Sequence, residues 1–180
     1  MNKHLKIAVA LLAALPTFTV AQVRIEQTFE KGWKFTREDN KDFSQKEYDD
    51  TKWQSVTVPH DWAIYGPFSI DNDKQKVAIT QDGQKEAMEH AGRTGGLPFV
   101  GVGWYRLNFE APGFSSGKKA TLILDGAMSH ARVYINGQEA GCWPYGYNSF
   151  CIDATPYLKA NGQNTLAVRL ENENESSRWY

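Results

Sequence analysis

The sequence predicts an all-β protein built as an antiparallel β-sandwich, and three observations lead to that prediction. Short runs of strand-forming residues recur along the chain, turns rich in glycine and asparagine separate them, and the amphipathic spacing typical of helices is nearly absent. With 180 residues, the chain is long enough for one domain with a well-buried core.

Two aromatic-rich segments supply the first predicted strands. GWKFTR (32–37) and WQSVTVP (53–59) each combine aromatic and β-branched residues, as strands do. The segment between them, 41–53, is polar with few apolar positions, so we expect an excursion with at most one short helical turn. The tryptophans that we expect to anchor the core from within strands are Trp33, Trp53 and Trp104.

The most regular strand pattern is the alternation in WYRLNFE (104–110). Neighbouring side chains of a strand point to opposite faces, so every second residue shares a face. One face then carries Tyr105, Leu107 and Phe109, and the other carries Trp104, Arg106 and Asn108.

Three further segments complete the predicted set of strands. KATLILDG (119–126) is nearly all apolar, which predicts a strand buried on both faces. HARVYI (130–135) is followed by Asn136-Gly137, a strong hairpin signal because both turn residues must accept a positive φ. In NTLAVRLEN (164–172), alternation places three apolar residues on one face: Leu166, Val168 and Leu170.

The first 21 residues have the features of a secretory signal peptide. A positively charged start precedes an apolar run over 7–15, and small residues stand at the −3 and −1 positions, Thr19 and Ala21. The apolar run is too short to span a bilayer. We therefore expect an exported mature chain, 22–180, that is periplasmic or extracellular and does not stay in the membrane after cleavage.

Composition argues against several classes of function. Residues 1–21 contain two lysines and no acidic residue, so the formal charge of −1 becomes −3 in the mature chain. A mildly acidic protein lacks the basic face that nucleic acid requires. Two cysteines and four scattered histidines predict no metal site, and we expect no cofactor.

The two cysteines leave two interpretations open. Cys142 and Cys151 flank a turn-like segment, so export would permit a disulfide at a hairpin end. Alternatively, they are small buried residues on separate strands, which we favour because a domain of this size does not need the bridge for stability.

No catalytic residues can be assigned from the motifs. Ser129 stands beside His130, but sequence neighbours on a strand point to opposite faces, which argues against a triad with Asp125. Nothing in the sequence fixes two carboxylates at the separation that glycoside hydrolysis needs.

Aromatic residues and glycines are the candidates for a binding role. Several tryptophans and tyrosines fall in predicted loops, where ring faces can stack on sugars or instead anchor the core. The glycines of 92–103 could let the backbone approach a ligand or a neighbouring domain closely, or only turn a tight corner into the next strand. The long segment 63–103 is strand-poor by pattern, which in a compact domain indicates a functional or disordered loop.

Seven segments in order resemble the N-terminal sugar-binding domain of family 2 glycoside hydrolases, the β-galactosidase and β-glucuronidase family. The most specific is W-x-x-V-x-V-P-H-D-W over 53–62. The others are GWKF (32–35), GVGWYR (101–106), LDGAMSHARVYINGQEAG (124–141), GYNSFCIDATPYL (146–158), NTLAVRLEN (164–172) and SSRWY (176–180).

The resemblance implies a jelly-roll sandwich of the galactose-binding type over 22–180, incomplete at its C-terminus and missing its final strand. The family carries its two catalytic glutamates in a downstream (β/α)8 barrel. The tripeptides around Glu173 and Glu175 lack the proline of the family's Asn-Glu-Pro motif. The resemblance thus implies a fragment of an exported, β-galactosidase-like enzyme that lacks the catalytic pair.

The resemblance also implies which loops face the substrate. Those loops lie toward the barrel in the family and here contain His60, Asp61, Arg93, Ser177, Arg178 and Trp179. The expected partners are a β-galactoside-like carbohydrate and the downstream domains of the parent enzyme. Two alternatives are a stand-alone carbohydrate-binding module and a sandwich that only supports other domains.

Overall fold

The computed structural model describes residues 24–69, 71–72, 74–91 and 99–172, and strands dominate these ranges. The strands are β1 Trp33–Thr36, β2 Gln54–Val56, β3 Lys74–Val77, β4 Met88–Ala91, β5 Val102–Glu110, β6 Thr121–Leu124, β7 Ala131–Ile135, β8 Gln138–Trp143, β9 Phe150–Asp153 and β10 Gln163–Glu171. Two single 3₁₀ turns, Lys41–Ser44 and Thr80–Asp82, are the helical elements of this part of the chain.

The strands form an antiparallel β-sandwich, as the sequence predicts. The larger sheet has six strands in the order β2-β1-β5-β10-β7-β8, and β6 pairs with β9 to form the second layer. The two nine-residue strands β5 and β10 pair along their whole length at the centre of the larger sheet. This central pair positions the loops at both ends of the sandwich.

The main core lies between the two layers and follows the predicted alternation. Tyr105 and Leu107 of β5 are buried in it, and Leu166 and Val168 of β10 lie beside them. The second layer contributes Phe150 and Ile152, which are also buried in this cluster. Leu170 is half-buried and packs against the same core, so the predicted apolar face of β10 is confirmed.

The excursion between β1 and β2 covers the opposite face of β5. Phe43, in the first 3₁₀ turn, is 2% exposed. Its ring packs edge-to-face with that of Trp104, with ring centroids 5.8 Å apart. Tyr48 and Trp53 pack against this second, smaller cluster. Trp33 and Trp104 are buried and Trp53 is half-buried, which confirms the predicted core role of the three strand tryptophans.

The Asn-Gly hairpin is present where the sequence predicts it. Asn136 and Gly137 have φ values of 52° and 85°, and they join β7 to β8. The Asn136 side chain also donates hydrogen bonds to the Tyr157 carbonyl (2.9 Å) and to Oδ1 of Asn164 (2.8 Å). The turn is therefore tied to the end of the sandwich as well as closing the hairpin.

Two predictions about exposure are wrong. β6 is exposed on one face, because no further layer of the described residues covers the outer side of the β6–β9 pair, where Ile123 is 53% exposed. Cys151 is the cross-strand partner of Ile123 and is also exposed. Cys142 and Cys151 lie on separate strands, but both are exposed free thiols rather than buried residues or a disulfide.

The long segment after β2 contains more structure than its pattern predicts. β3 and β4 pair as a separate antiparallel hairpin within 74–91, with Val77 opposite Met88. Both of these side chains are largely exposed, so the hairpin lacks the buried apolar face by which a strand is recognised in sequence. In the ranges described above, no helix combines the length and apolarity that crossing a membrane would require.

Candidate functional site

Five segments come together at one end of the sandwich, which we call the loop end. They are residues 60–65, 99–101, 128–130, 144–149 and Asn172, which directly follows β10. Hydrogen bonds and packing contacts connect each segment to the next around this end, so their relative positions are fixed by the framework of the sheets.

His60 lies at the centre of an aromatic and hydrogen-bonded cluster at the loop end. Its Nδ1 is 2.8 Å from the hydroxyl of Tyr105, and its ring lies nearly parallel to that of Tyr65, with centroids 6.0 Å apart. The edge of the Phe35 ring contacts it from the core side. Partial burial lowers the pKa of His60 below its usual value of 6.5, so the neutral imidazole predominates at neutral pH.

Asp61 is exposed next to this cluster. Its Oδ1 accepts a hydrogen bond from the backbone N–H of Ala63 at 3.0 Å, which closes the turn after His60. Burial, followed by the negative charge of Asp61, raises the pKa of Tyr105, so that phenol remains protonated. Asp61 and His60 therefore offer an anionic acceptor beside a neutral imidazole, and this combination is suited to binding sugar hydroxyls.

Trp62 is part of the core, although its predicted place in a loop left a sugar-stacking role open. It is 6% exposed and packs edge-on against Phe35 and Phe99. Its carbonyl accepts a 2.6 Å hydrogen bond from Arg37, whose guanidinium also lies 4.9 Å from the centre of the Phe99 ring. Trp62 thus anchors the segment that presents His60 and Asp61.

Two glycines before and within β5 are required by packing at the loop end. A Cβ on Gly103 would lie 1.5 Å from Cζ3 of Trp62, so only glycine leaves room for the indole. Gly101 has a φ of 149°, and a Cβ there would lie 3.1 Å from the Phe99 ring. For these two positions the structure favours the tight-corner interpretation; residues 92–98 of the glycine loop lie outside the described ranges.

Asn172 fixes the segment before β5 and was not among the residues predicted for the site. Its Oδ1 accepts from the Gly101 N–H at 2.7 Å, and its Nδ2 donates to the Phe99 carbonyl at 3.0 Å. Its own backbone N–H donates to the Gly101 carbonyl at 3.0 Å. The signal in the sequence for this role was an asparagine directly after a regular strand. Because its partners lie about seventy residues away in sequence, the contact itself could not be identified from the sequence.

Ser129 and His130 contact each other, contrary to the expectation that they point apart. The Ser129 hydroxyl is 3.2 Å from Nδ1 of His130, because the two residues lie in a turn before β7, where His130 has a φ of 46°. The hydroxyl donates to the Glu171 carbonyl at 2.7 Å, and the two backbones exchange hydrogen bonds. With its proton committed to a carbonyl, Ser129 positions the end of β10 rather than acting as a nucleophile.

The binding role predicted for the six site residues stays a prediction, since the structure gives only the location of two of them. The structure brings His60 and Asp61 to the loop end, while Arg93, Ser177, Arg178 and Trp179 lie outside the described residues. Within the described ranges, no three His, Cys, Asp or Glu side chains are grouped as a metal site would need.

Comparisons with known proteins agree with this architecture. Residues 27–179 match the model of the family described as "Glycosyl hydrolases family 2, sugar binding domain". The chain is 37% identical over 170 residues to the β-galactosidase BoGH2A of Bacteroides ovatus, covering 94% of this chain and 18% of that protein. It is also 37% identical over 158 residues to a protein of Formosa agariphila named provisionally as a β-glucuronidase, covering 87% of this chain and 14% of that protein.

A solved structure shares the fold. The family 2 glycosyl hydrolase from Bacteroides cellulosilyticus superposes with a TM-score of 0.66 at 29% identity, covering 86% of this chain and 18% of that one. The chain thus spans less than a fifth of the length of the proteins it matches.

Proposed function

Because the chain belongs to the sugar-binding domain family of the family 2 glycosyl hydrolases, we propose that it serves as the N-terminal domain of an exported glycosidase acting on β-galactosides. In this proposal the loop end borders an active site whose catalytic carboxylates come from a downstream domain. The observation that carries it is the convergence of His60, Asp61 and Asn172 at one end of the sandwich.

The position of the last described residue also supports a loop end that borders the active site. β10 ends at Glu171, and Asn172 is bound to the segment before β5, so the last described residue of the chain lies at the loop end. The following residues include Ser177, Arg178 and Trp179. An arginine can donate two parallel hydrogen bonds to a carboxylate or to sugar hydroxyls, and an indole offers a face for stacking.

The reaction of the whole enzyme would follow the two-carboxylate scheme. In retaining glycosidases one carboxylate attacks the anomeric carbon while the other protonates the leaving oxygen, and water then releases the sugar. This chain would contribute neither carboxylate. Its loops would bind hydroxyl groups, exclude water and hold the substrate in position.

A neutral sugar fits the described part of the loop end better than a uronic acid. Asp61 is an exposed carboxylate, His60 is kept neutral by burial, and the Arg37 guanidinium is held by the Trp62 carbonyl and the Phe99 ring. A substrate carboxylate would be repelled by Asp61 at close range. These features favour a neutral sugar, such as a β-galactoside, over a β-glucuronide.

The test compares residues 22–180 with the same protein continued through the sequence that follows Tyr180 in its gene. We expect the longer protein to hydrolyse nitrophenyl β-galactoside at least tenfold faster than nitrophenyl β-glucuronide. We expect residues 22–180 alone to hydrolyse neither, because they lack a positioned carboxylate pair. Turnover by the purified short chain, or a preference of the longer protein for the glucuronide, would contradict the proposal.

Export belongs to the same proposal. It is supported by the charged start, the apolar run and the small residues at positions 19 and 21. N-terminal sequencing of secreted protein should begin at Gln22, and a secreted chain that begins at Met1 would refute the cleavage.

A further inference from the structure

The turn between β8 and β9, residues 144–149, presents two tyrosines to solvent. Tyr145 is 52% exposed and Tyr147 is 75% exposed. Both rings therefore keep much of their surface accessible to a ligand. We call residues 144–149 the aromatic turn.

The backbone of the aromatic turn is held in place by its neighbours. Trp143, just before the turn, stacks on Phe150 with ring centroids 5.6 Å apart, and its Nε1 donates to Oδ1 of Asn148 at 3.1 Å. The Tyr145 ring meets Trp143 edge-on at 6.1 Å. A Cβ on Gly146 would lie 2.7 Å from Cγ of Met128, so the turn packs tightly against the segment before β7.

The aromatic turn belongs to the loop end. The carbonyl of Pro144 accepts a hydrogen bond from the backbone N–H of His130 at 3.1 Å. His130 adjoins Ser129, which is bonded to Glu171 at the end of β10. The two tyrosines therefore stand on the same rim as Asn172, separated from it by one hydrogen-bonded segment.

The chemistry of the turn favours an uncharged carbohydrate. Residues 141–152 contain no charged side chain, and two of their exposed groups are phenol rings with hydroxyl tips. Aromatic faces stack on the C–H faces of pyranose rings, while the hydroxyl tips remain hydrated. A turn whose backbone is already held by its neighbours loses less conformational entropy when a ligand binds, which favours affinity.

We propose that Tyr145 and Tyr147 form an aromatic platform that stacks a neutral sugar unit of the substrate, away from the bond that is cut. This inference rests on the proposed function for its substrate class and extends it from a single sugar to an oligosaccharide. The platform is a binding element and takes no part in bond cleavage.

The test is a binding measurement on the longer protein described above, with calorimetry as the readout. The probe is a thio-linked β-1,4-galactotetraose, because its sulfur bridges resist hydrolysis by a glycosidase. We expect Tyr145→Ala/Tyr147→Ala to weaken binding at least tenfold. Tyr145→Phe/Tyr147→Phe should retain most of the affinity, because the stacking faces remain. Ile123→Ala, at an exposed apolar position on the outer face of the second layer, is the matched control and should leave affinity unchanged.

Three outcomes would overturn the platform. The first is an unchanged affinity in the double alanine variant. The second is a loss of binding that the Ile123→Ala control shows equally. A changed elution volume or domain arrangement with intact sugar binding would assign the tyrosines to a protein contact instead and would also overturn it.

Failure of the platform can be distinguished from failure of the proposed function by a second assay. Hydrolysis of nitrophenyl β-galactoside by the unmodified longer protein tests the proposed function without the platform, because this substrate has a single sugar. If the unmodified protein hydrolyses no galactoside, the proposed function fails, and the binding measurement still decides whether the tyrosines hold the tetrasaccharide.

Discussion

Gly103 is the residue at which packing leaves the least freedom. The ring of Trp62 occupies the volume that any side chain at position 103 would need. The indole therefore packs directly against the backbone of β5. The indole in turn contacts Phe35 and Phe99, on either side of the loop end. One missing Cβ therefore determines where the segment with His60 and Asp61 can lie.

Gly103→Ala should destabilise the protein by about 1–3 kcal/mol, because Trp62 must move out of a filled core. Gly126→Ala is the matched control, since its Cβ would meet its nearest neighbour at an ordinary 3.6 Å, and it should change stability by less than about 0.5 kcal/mol. Urea unfolding of both variants followed by tryptophan fluorescence checks the prediction. Equal stability of the two variants would show that Trp62 is free to move.

His60 makes folding sensitive to pH. Its pKa is lower in the folded state than its usual 6.5 because burial disfavours the charged ring. Between the folded and unfolded pKa values the unfolded chain binds more protons, so stability is full above about 6.5 and is lost as the pH falls through the folded pKa.

A titration by NMR should give His60 a pKa below 6.5 in the folded chain. His60→Gln should show a smaller loss of stability between pH 7.5 and pH 5 than the unmodified chain, since it has no imidazole to protonate. A pKa at or above 6.5, or an identical loss in the variant, would contradict this assignment.

Among the elements, the polar excursion between β1 and β2 is held by one side chain from the sheet beneath it. Arg106 of β5 is 1% exposed, and its Nε donates to Oδ2 of Asp50 at 2.8 Å. Its two terminal nitrogens donate to backbone carbonyls of the excursion, those of Phe43, Gln45, Lys46 and Tyr48. Arg106 thereby satisfies four carbonyls of a segment whose regular structure is one short 3₁₀ turn.

Arg106→Lys should cost about 3 kcal/mol, because one ammonium cannot reach all of these acceptors and leaves buried carbonyls unpaired. Arg132→Lys, whose side chain is 53% exposed beside Glu139, should change stability by less than about 0.5 kcal/mol. Hydrogen exchange should also accelerate selectively over residues 41–50 in the first variant. Slow exchange there, with stability retained, would show that the excursion holds its own conformation.

The accuracy of the sequence predictions differs between elements for physical reasons. β5, β10 and the Asn136-Gly137 hairpin were predictable because their patterns are local: alternation over nine residues, or two residues that accept positive φ. The exposure of β6 was not, since it depends on whether another layer covers the outer face of the β6–β9 pair. The β3–β4 hairpin was missed because its apolar residues Val77 and Met88 are exposed and produce no buried alternating face.

The same distinction applies to the site. His60 and Asp61 came from a motif, and the structure places both at the loop end. Asn172 and the contact between Ser129 and Glu171 join positions about seventy and forty residues apart in sequence, so only the fold reveals them. Trp62 was also misjudged from sequence, because it falls in a predicted loop but its side chain is buried in the core.

For the whole molecule, the account depends on the loop end facing an active site that a downstream domain completes. Every described candidate lies at that end, and so does Asn172, the last described residue before Arg178 in the sequence. A domain that only supports its neighbours would tolerate changes at this end, whereas a border of the active site would not.

The most direct measurement is the effect of Arg178→Ala on kcat/KM for nitrophenyl β-galactoside in the protein continued past Tyr180. The account predicts a loss of about tenfold or more, equivalent to roughly 1.4 kcal/mol of transition-state binding. Arg132→Ala, on the outer face of the larger sheet, should leave kcat/KM unchanged and serves as the matched control. An unchanged kcat/KM in a folded Arg178→Ala protein would contradict the claim that this end borders the active site.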